Sequence, residues 1–139
     1  MDKSQADAIA RGMHDILLVG LGGSIGAIAR YALGSLVLQI SAQGRFPLGT
    51  FVVNVLGCLV VGVLAGIGER YAFLGPDARL FLFTGLLGGF TTFSAFGLES
   101  VHLVRRGELA VAALYAGGSV VLGIAAVWLG IRLVSVVSR

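Results

Sequence analysis

The chain has 139 residues, of which 57% are hydrophobic and only 12% are charged, about half the charged fraction of a soluble domain. This composition predicts an integral membrane protein, and the net charge of +3, spread over the loops, gives no support for nucleic-acid binding. Cys58 is the only cysteine and lies within an apolar run, which excludes an intrachain disulfide and gives no support for metal or redox chemistry.

Four apolar runs follow one another, each at least as long as the roughly 20 residues that a membrane-spanning helix needs. We predict an all-α protein with spans at about residues 16–40, 48–67, 80–104 and 109–134. The spans form one transmembrane domain, residues 16–134, between a polar N-terminal segment, residues 1–15, and a short C-terminal tail, residues 135–139. We expect no cleaved signal peptide, because no small-residue cleavage site follows the first apolar run. The connections are short, so neighbouring spans are expected to be antiparallel.

Small residues recur at four-residue spacing on every span, as the pairs Gly22 and Gly26, Gly62 and Gly66, Gly85 and Gly89, and Ser119 and Gly123. Within a membrane, this pattern lets helix backbones approach closely. Four spans with so much small-residue surface are not expected to cover one another completely. We therefore predict an oligomer.

The charges of the loops bear on orientation. The side that holds both termini and the second loop carries six Lys and Arg residues, and the other side carries Arg45, Arg105 and Arg106. If translation begins at Met13, the counts become four against three. Because Lys and Arg asymmetry sets orientation, the shorter chain favours insertion both ways and hence an antiparallel dimer, whereas the full chain retains a bias.

The third span contains the run GGFTTFSAF, residues 88–96, which combines glycines, hydroxyls and phenylalanines at membrane depth. Irregular backbone is tolerated there only where it is buried in protein or lines a polar cavity. We therefore expect a break in this span, with the working site beside it. Phe93 and Phe96 share a helical face, and their positive ring edges beside hydroxyl donors could solvate a small hard anion. Simple apolar packing is the alternative for this pair.

Two further pairs of polar residues have helical spacing within the spans. Asn54 follows Thr50 by four residues, and Ser119 follows Tyr115 by four. The Asn54 amide offers two donors, although an intramembrane asparagine also serves simply to hold helices together. Hydrogen-bond donors without a matching set of carboxylates favour an anion path over a cation path.

Arg30 and Glu99 are ionisable residues within the spans. Arg30 is about fourteen residues into the first span, a depth at which a charged group is a functional hypothesis by default. It either faces an aqueous vestibule that attracts anions or is neutralised structurally. Glu99, near the end of the third span, could pair with a basic group or line an entrance. His102 is expected at the interface and has no second ligand at metal-binding spacing.

Four stretches resemble the Fluc/CrcB family of fluoride channels: GLLGGFTTFSAF at residues 85–96, GTFVVNVLG at 49–57, and the segments at 26–30 and 115–119. The resemblance covers roughly residues 16–131, and its GGFTTFS core is highly specific. It implies a channel rather than an enzyme, which passively exports cytoplasmic fluoride across the bacterial plasma membrane. It also implies an antiparallel dual-topology homodimer with two separate pores.

The resemblance implies roles for individual residues. Phe93 and Phe96 become the paired rings along the pore, and Asn54 becomes an anion donor. A polar track would include Tyr115, Ser119, Thr50 and Ser94. The backbone carbonyls of Gly88 and Thr91 resemble the family's central sodium site, where two subunits supply four oxygens to a structural ion. Ala95 stands where relatives often have a polar residue, which would thin the track.

Two other functions compete with this interpretation. A small multidrug-type, proton-coupled exporter would also have four helices, but it needs a deeply buried carboxylate, and the only candidate, Glu99, lies toward a helix end. A non-transporting assembly protein would not explain the spaced polar groups on three spans together with Arg30.

Overall fold

The computed structural model describes residues 2–41, 44–70 and 74–137, and helices account for nearly all of them. The helices are α1 (Lys3–Ile40), α2 (Leu48–Arg70), α3 (Pro76–Arg79), a π-helical segment (Leu80–Leu87), α4 (Gly88–Phe90), α5 (Phe93–Arg105) and α6 (Leu109–Val137). The predicted all-α class is confirmed.

Four helical stretches of the described residues are long and apolar enough to cross a membrane: Lys3–Ile40, Leu48–Arg70, Pro76–Arg105 and Leu109–Val136. They contain the four predicted spans. Helix α1 begins well before residue 16 because the polar segment ahead of its apolar run consists mostly of good helix formers. Its 38 residues extend over about 57 Å at 1.5 Å per residue, so α1 is longer than the roughly 30 Å hydrocarbon layer.

Glycines allow two close helix seams. Helix α1 packs against the π-helical segment and α4, and α2 packs along α6. A Cβ atom on Gly26 would collide with the carbonyl oxygen of Leu86, and one on Gly62 would collide with that of Val127. The obstructing atoms are backbone, which cannot turn aside as a side chain can. The four-residue glycine spacing on α1 and α2 therefore marks real lines of close backbone approach.

Two residues with extended backbone separate α4 from α5. Thr91 has dihedral angles φ −82° and ψ 159°, and Thr92 has φ −148° and ψ 118°, so both residues are extended. Helix α5 then ends in a turn at Gly107, whose φ of 77° is in the left-handed region. The N–H of Glu108 reaches back to the carbonyl of Leu103 at 3.0 Å, which closes the helix in a Schellman-type turn and directs the chain into α6.

Candidate functional site

Asn54 is bonded to the extended backbone of the third span. Its Nδ2 donates to the carbonyl of Thr92 at 3.0 Å, and its Oδ1 accepts the Thr92 N–H at 2.8 Å. The side-chain amide thus pairs with both backbone polar groups of Thr92, which hydrocarbon could not hydrate. Since an amide nitrogen carries two hydrogens, one N–H of Asn54 remains for another acceptor.

At the two extended residues, two backbone N–H groups bond to side chains and not to the carbonyls that a continuous helix would offer them. In a continuous helix the Thr92 N–H would bond to the carbonyl of Gly88, and the Ala95 N–H would bond to that of Thr91. Here the first donates to Asn54, and the second donates to the side chain of Thr92 at 3.3 Å, as in a helix N-cap. Both carbonyls therefore lose their helical donors.

Side chains compensate some of these carbonyls and not others. Arg30 Nε donates to the carbonyl of Gly89 at 3.1 Å, as Asn54 does to that of Thr92. Among the described residues, no side-chain donor reaches the carbonyls of Gly88 and Thr91. Arg30 is thus a partner of the interrupted backbone, and two carbonyls remain as potential cation ligands.

A groove of about 350 Å³ lies where the interruption meets α2, α5 and α6. Four of the predicted site residues line it, namely Asn54, Phe93, Phe96 and Ser119. Thr91, Thr92 and Cys58 add polar atoms, and Val61, Val120 and Val127 complete an otherwise apolar wall. Within the described part of the chain, no hydrogen bond occupies the Ser119 hydroxyl, so this group is available as a donor in the groove.

The two predicted phenylalanines lie side by side on α5. Their ring centroids are 5.5 Å apart and their planes are inclined by 36°. Phe96 continues inward and contacts the ring of Tyr115, with centroids 5.1 Å apart. Phe93, by contrast, is 84% exposed.

A half-buried hydrogen-bond network lies one helical turn beyond Phe96. Thr50 donates to Oε1 of Glu99 at 2.7 Å, and Tyr115 donates to Oε2 at 2.6 Å. Tyr115 is completely buried. Sequence reasoning assigned donors without carboxylates to this region, but the carboxylate of Glu99 is the acceptor that joins Thr50 to Tyr115.

Two aromatic residues that sequence reasoning missed enclose this network. Phe46 contacts Tyr115 with ring centroids 5.4 Å apart, and Phe51 contacts Phe46 at 5.2 Å, both edge to face. Phe51 directly follows Thr50, so an aromatic neighbour beside a predicted site residue was the available signal. Phe46 precedes a helix, and nothing in its local pattern indicated the contact.

The predicted residues therefore fall into separate groups. Four of them line the groove, namely Asn54, Phe93, Phe96 and Ser119. Thr50, Glu99 and Tyr115 form the hydrogen-bond network, and Phe96 contacts its Tyr115 ring. Ser94 lies outside both groups and shares a 3.3 Å hydroxyl contact with Thr92. Arg30 bonds to the backbone of Gly89, close to the carbonyls of Gly88 and Thr91 along the chain.

Comparison with known proteins gives consistent results. Residues 17–131 match the profile of the family described as "CrcB-like protein, Camphor Resistance (CrcB)". A Methylobacillus flagellatus protein named "Fluoride-specific ion channel FluC" is 54% identical over 88% of this chain and 95% of its own length. Proteins of the same name from Nitratidesulfovibrio vulgaris and Novosphingobium aromaticivorans are 52% and 50% identical, over 86% and 83% of this chain and 95% and 91% of their own lengths.

Proposed function

Because this chain belongs to the CrcB family, we propose that it is a fluoride-selective channel that lets cytoplasmic fluoride leave the cell passively. The proposal rests on one observation: the groove, the two phenylalanine rings and the Thr50–Glu99–Tyr115 network are linked by successive contacts. The names of the similar proteins support fluoride as the ion. The chain performs no bond-making chemistry in this account.

Fluoride is small and strongly hydrated, so a pore must replace its water with several closely spaced donors that do not trap it. In the groove, the remaining N–H of Asn54 and the hydroxyl of Ser119 provide such donors. The edges of Phe93 and Phe96 add a weaker attraction, since the ring quadrupole is positive at the edge. Rapid conduction requires a series of sites that each bind the ion with only moderate affinity.

The ion next meets the Glu99 network. The Thr50 and Tyr115 hydroxyls each have one proton, and both protons are donated to the carboxylate here. A passing fluoride competes with Glu99 for them, so the carboxylate must withdraw as the ion advances. Glu99 therefore controls access to the inner donors.

We assign the working unit to an antiparallel, dual-topology homodimer with two pores. The 84% exposure of Phe93 supports a partner that completes the wall opposite the groove, because a large aromatic at a pore would otherwise face lipid. Interruption of the third span in both copies at the membrane centre belongs to the same proposal, and the extended Thr91 and Thr92 support it.

A sodium ion at the dimer interface would be held by the carbonyls of Gly88 and Thr91. Those carbonyls fit a hard cation, since their helical donors are engaged elsewhere and oxygen ligands suit such ions. When bound, sodium would neutralise carbonyl dipoles in a dry interface. The chain's own contribution is to hold Thr91 and Thr92 extended through Asn54.

Fluoride efflux from proteoliposomes, with chloride efflux as the comparison, tests the proposal. We expect rapid fluoride loss when the membrane potential is clamped with a potassium ionophore, and negligible chloride loss. A flux that requires a proton gradient and an organic cation would instead support the multidrug-type exporter, in which Glu99 would exchange protons. Equal passage of both halides would also contradict the proposal.

A further inference from the structure

A second cavity has Glu99 in its wall and does not include Phe96. It measures about 180 Å³ and is lined by Arg45, Pro47, Glu99, His102, Leu103 and Arg106. An adjoining cavity of about 230 Å³ is lined by His102, Arg105 and Arg106. The 180 Å³ cavity lies between the α1–α2 link and the end of α5, and Glu99 connects it to the Thr50–Glu99–Tyr115 network. We call the 180 Å³ cavity the outer mouth.

The charges around the outer mouth are unevenly placed. Arg45 and Arg106 line it and are exposed, whereas Glu99, which also lines it, is half-buried. Arg105 lines the adjoining cavity and is exposed as well. Glu108 is the other acidic group here, with Oε1 3.9 Å from Nε of Arg45. Its Oε2 is buried and has no hydrogen-bond partner in the described part of the chain. Glu108 thus attracts Arg45 without fully engaging it.

We infer that the outer mouth is an anion-capture site, at which Arg45 and Arg106 offset the repulsion between a small anion and Glu99. This inference rests on the proposed fluoride conduction. An anion entering or leaving beside Glu99 meets a carboxylate, and two guanidinium groups in the same cavity lower that barrier in both directions. Apolar walls such as Pro47 and Leu103 concentrate the field in the cavity. The capture is electrostatic, so it weakens with ionic strength.

The test measures fluoride efflux from full-length protein in neutral phosphatidylcholine vesicles. The variant carrying both Arg45→Gln and Arg106→Gln is compared with wild type at low salt and at about 1 M of an impermeant salt, where the Debye length is only about 3 Å. We expect the variant to be slower by about threefold or more at low salt, within the range of electrostatic steering. The difference should vanish at high salt, which also shows that the pore is intact.

Two control variants give the sign of the effect. Glu108→Gln removes the carboxylate that attracts Arg45, so it should raise low-salt efflux by about twofold. Lys3→Gln removes a charge at the far end of α1 and should leave efflux unchanged. A double arginine variant that matches wild type at low salt would overturn the inference. A loss that persists unchanged at high salt would also overturn it, because it would indicate structural damage.

Anionic lipid is the competing ligand for the three arginines. The measurements are repeated in vesicles that contain phosphatidylglycerol. If the arginine variants differ from wild type only in those vesicles, the cluster binds lipid headgroups and the capture site is refuted. A wild-type protein that passes no fluoride under any condition would refute the proposed function itself, and the outer mouth with it.

Discussion

Asn54 illustrates how one side chain supports both backbone and ion. Two of its hydrogen-bonding positions are used by Thr92, and only the remaining N–H faces other acceptors. Simple helix adhesion and anion binding, which were alternatives for this residue, are therefore compatible. The consequence is that substitutions of Asn54 should affect conduction and local structure together.

Asn54→Asp should reduce fluoride efflux by at least about tenfold. The change keeps the shape of the side chain but removes both amide donors, places a carboxylate oxygen against the Thr92 carbonyl, and adds negative charge to an anion path. One charge-assisted hydrogen bond alone is worth roughly 1.5–3 kcal/mol. Ser135→Ala is the control, since that hydroxyl bonds only within its own helix. Undiminished efflux in Asn54→Asp would contradict the assignment.

Phe93→Ile should also lower efflux by about tenfold while the protein still folds and dimerises. Isoleucine keeps apolar bulk but lacks the ring quadrupole. Because Phe93 is 84% exposed in the single chain, its replacement removes few contacts within the subunit. Leu98→Ile on the same helix, where Leu98 is also exposed, controls for a general change at the surface. Efflux near the wild-type level would mean that the Phe93 ring only packs.

At the scale of helices, the glycine seams decide which substitutions the fold accepts. Gly26→Ala should destabilise the protein by about 1–3 kcal/mol or more, the usual cost of overpacking, because the new Cβ collides with the Leu86 carbonyl. Gly20→Ala, on the same helix with open space around the position, should be neutral or slightly stabilising. Thermal unfolding followed by size-exclusion chromatography compares the two variants. Equal melting temperatures would contradict the close backbone contact at Gly26.

Hydropathy alone predicted the four spans, since each apolar run has the length that a bilayer imposes. The groove was also predictable in part, because Phe93 and Phe96 have helical spacing. The partners of Glu99 were not, since Thr50 is 49 residues away and no local pattern relates the two. The π-helical segment at Leu80–Leu87, which packs against α1, was not predicted, since nothing in its composition distinguishes it from an α-helix.

At the scale of the whole molecule, the proposed dual topology has a direct test. In a Cys58→Ala background, a single cysteine at the exposed Gly44 should be labelled by impermeant reagents from both sides of the membrane, in roughly equal proportion. A cysteine at Lys3, at the other end of α1, should also be labelled from both sides. In each orientation it should be labelled from the side opposite to the one that labels Gly44→Cys. Labelling of Gly44→Cys from one side only would refute the antiparallel dimer.

The bond between Asn54 and Thr92 has a consequence for biosynthesis. The two residues are 38 positions apart, and the ribosome completes α2 before the third span emerges. The extended peptide of Thr92 therefore enters a bilayer in which its amide partner is already present. If circular permutation placed the third span before α2, the backbone of Thr92 would enter the hydrocarbon before its Asn54 partner was present. We expect such a permutant to insert its third span poorly, even though every contact of the finished protein would be available to it.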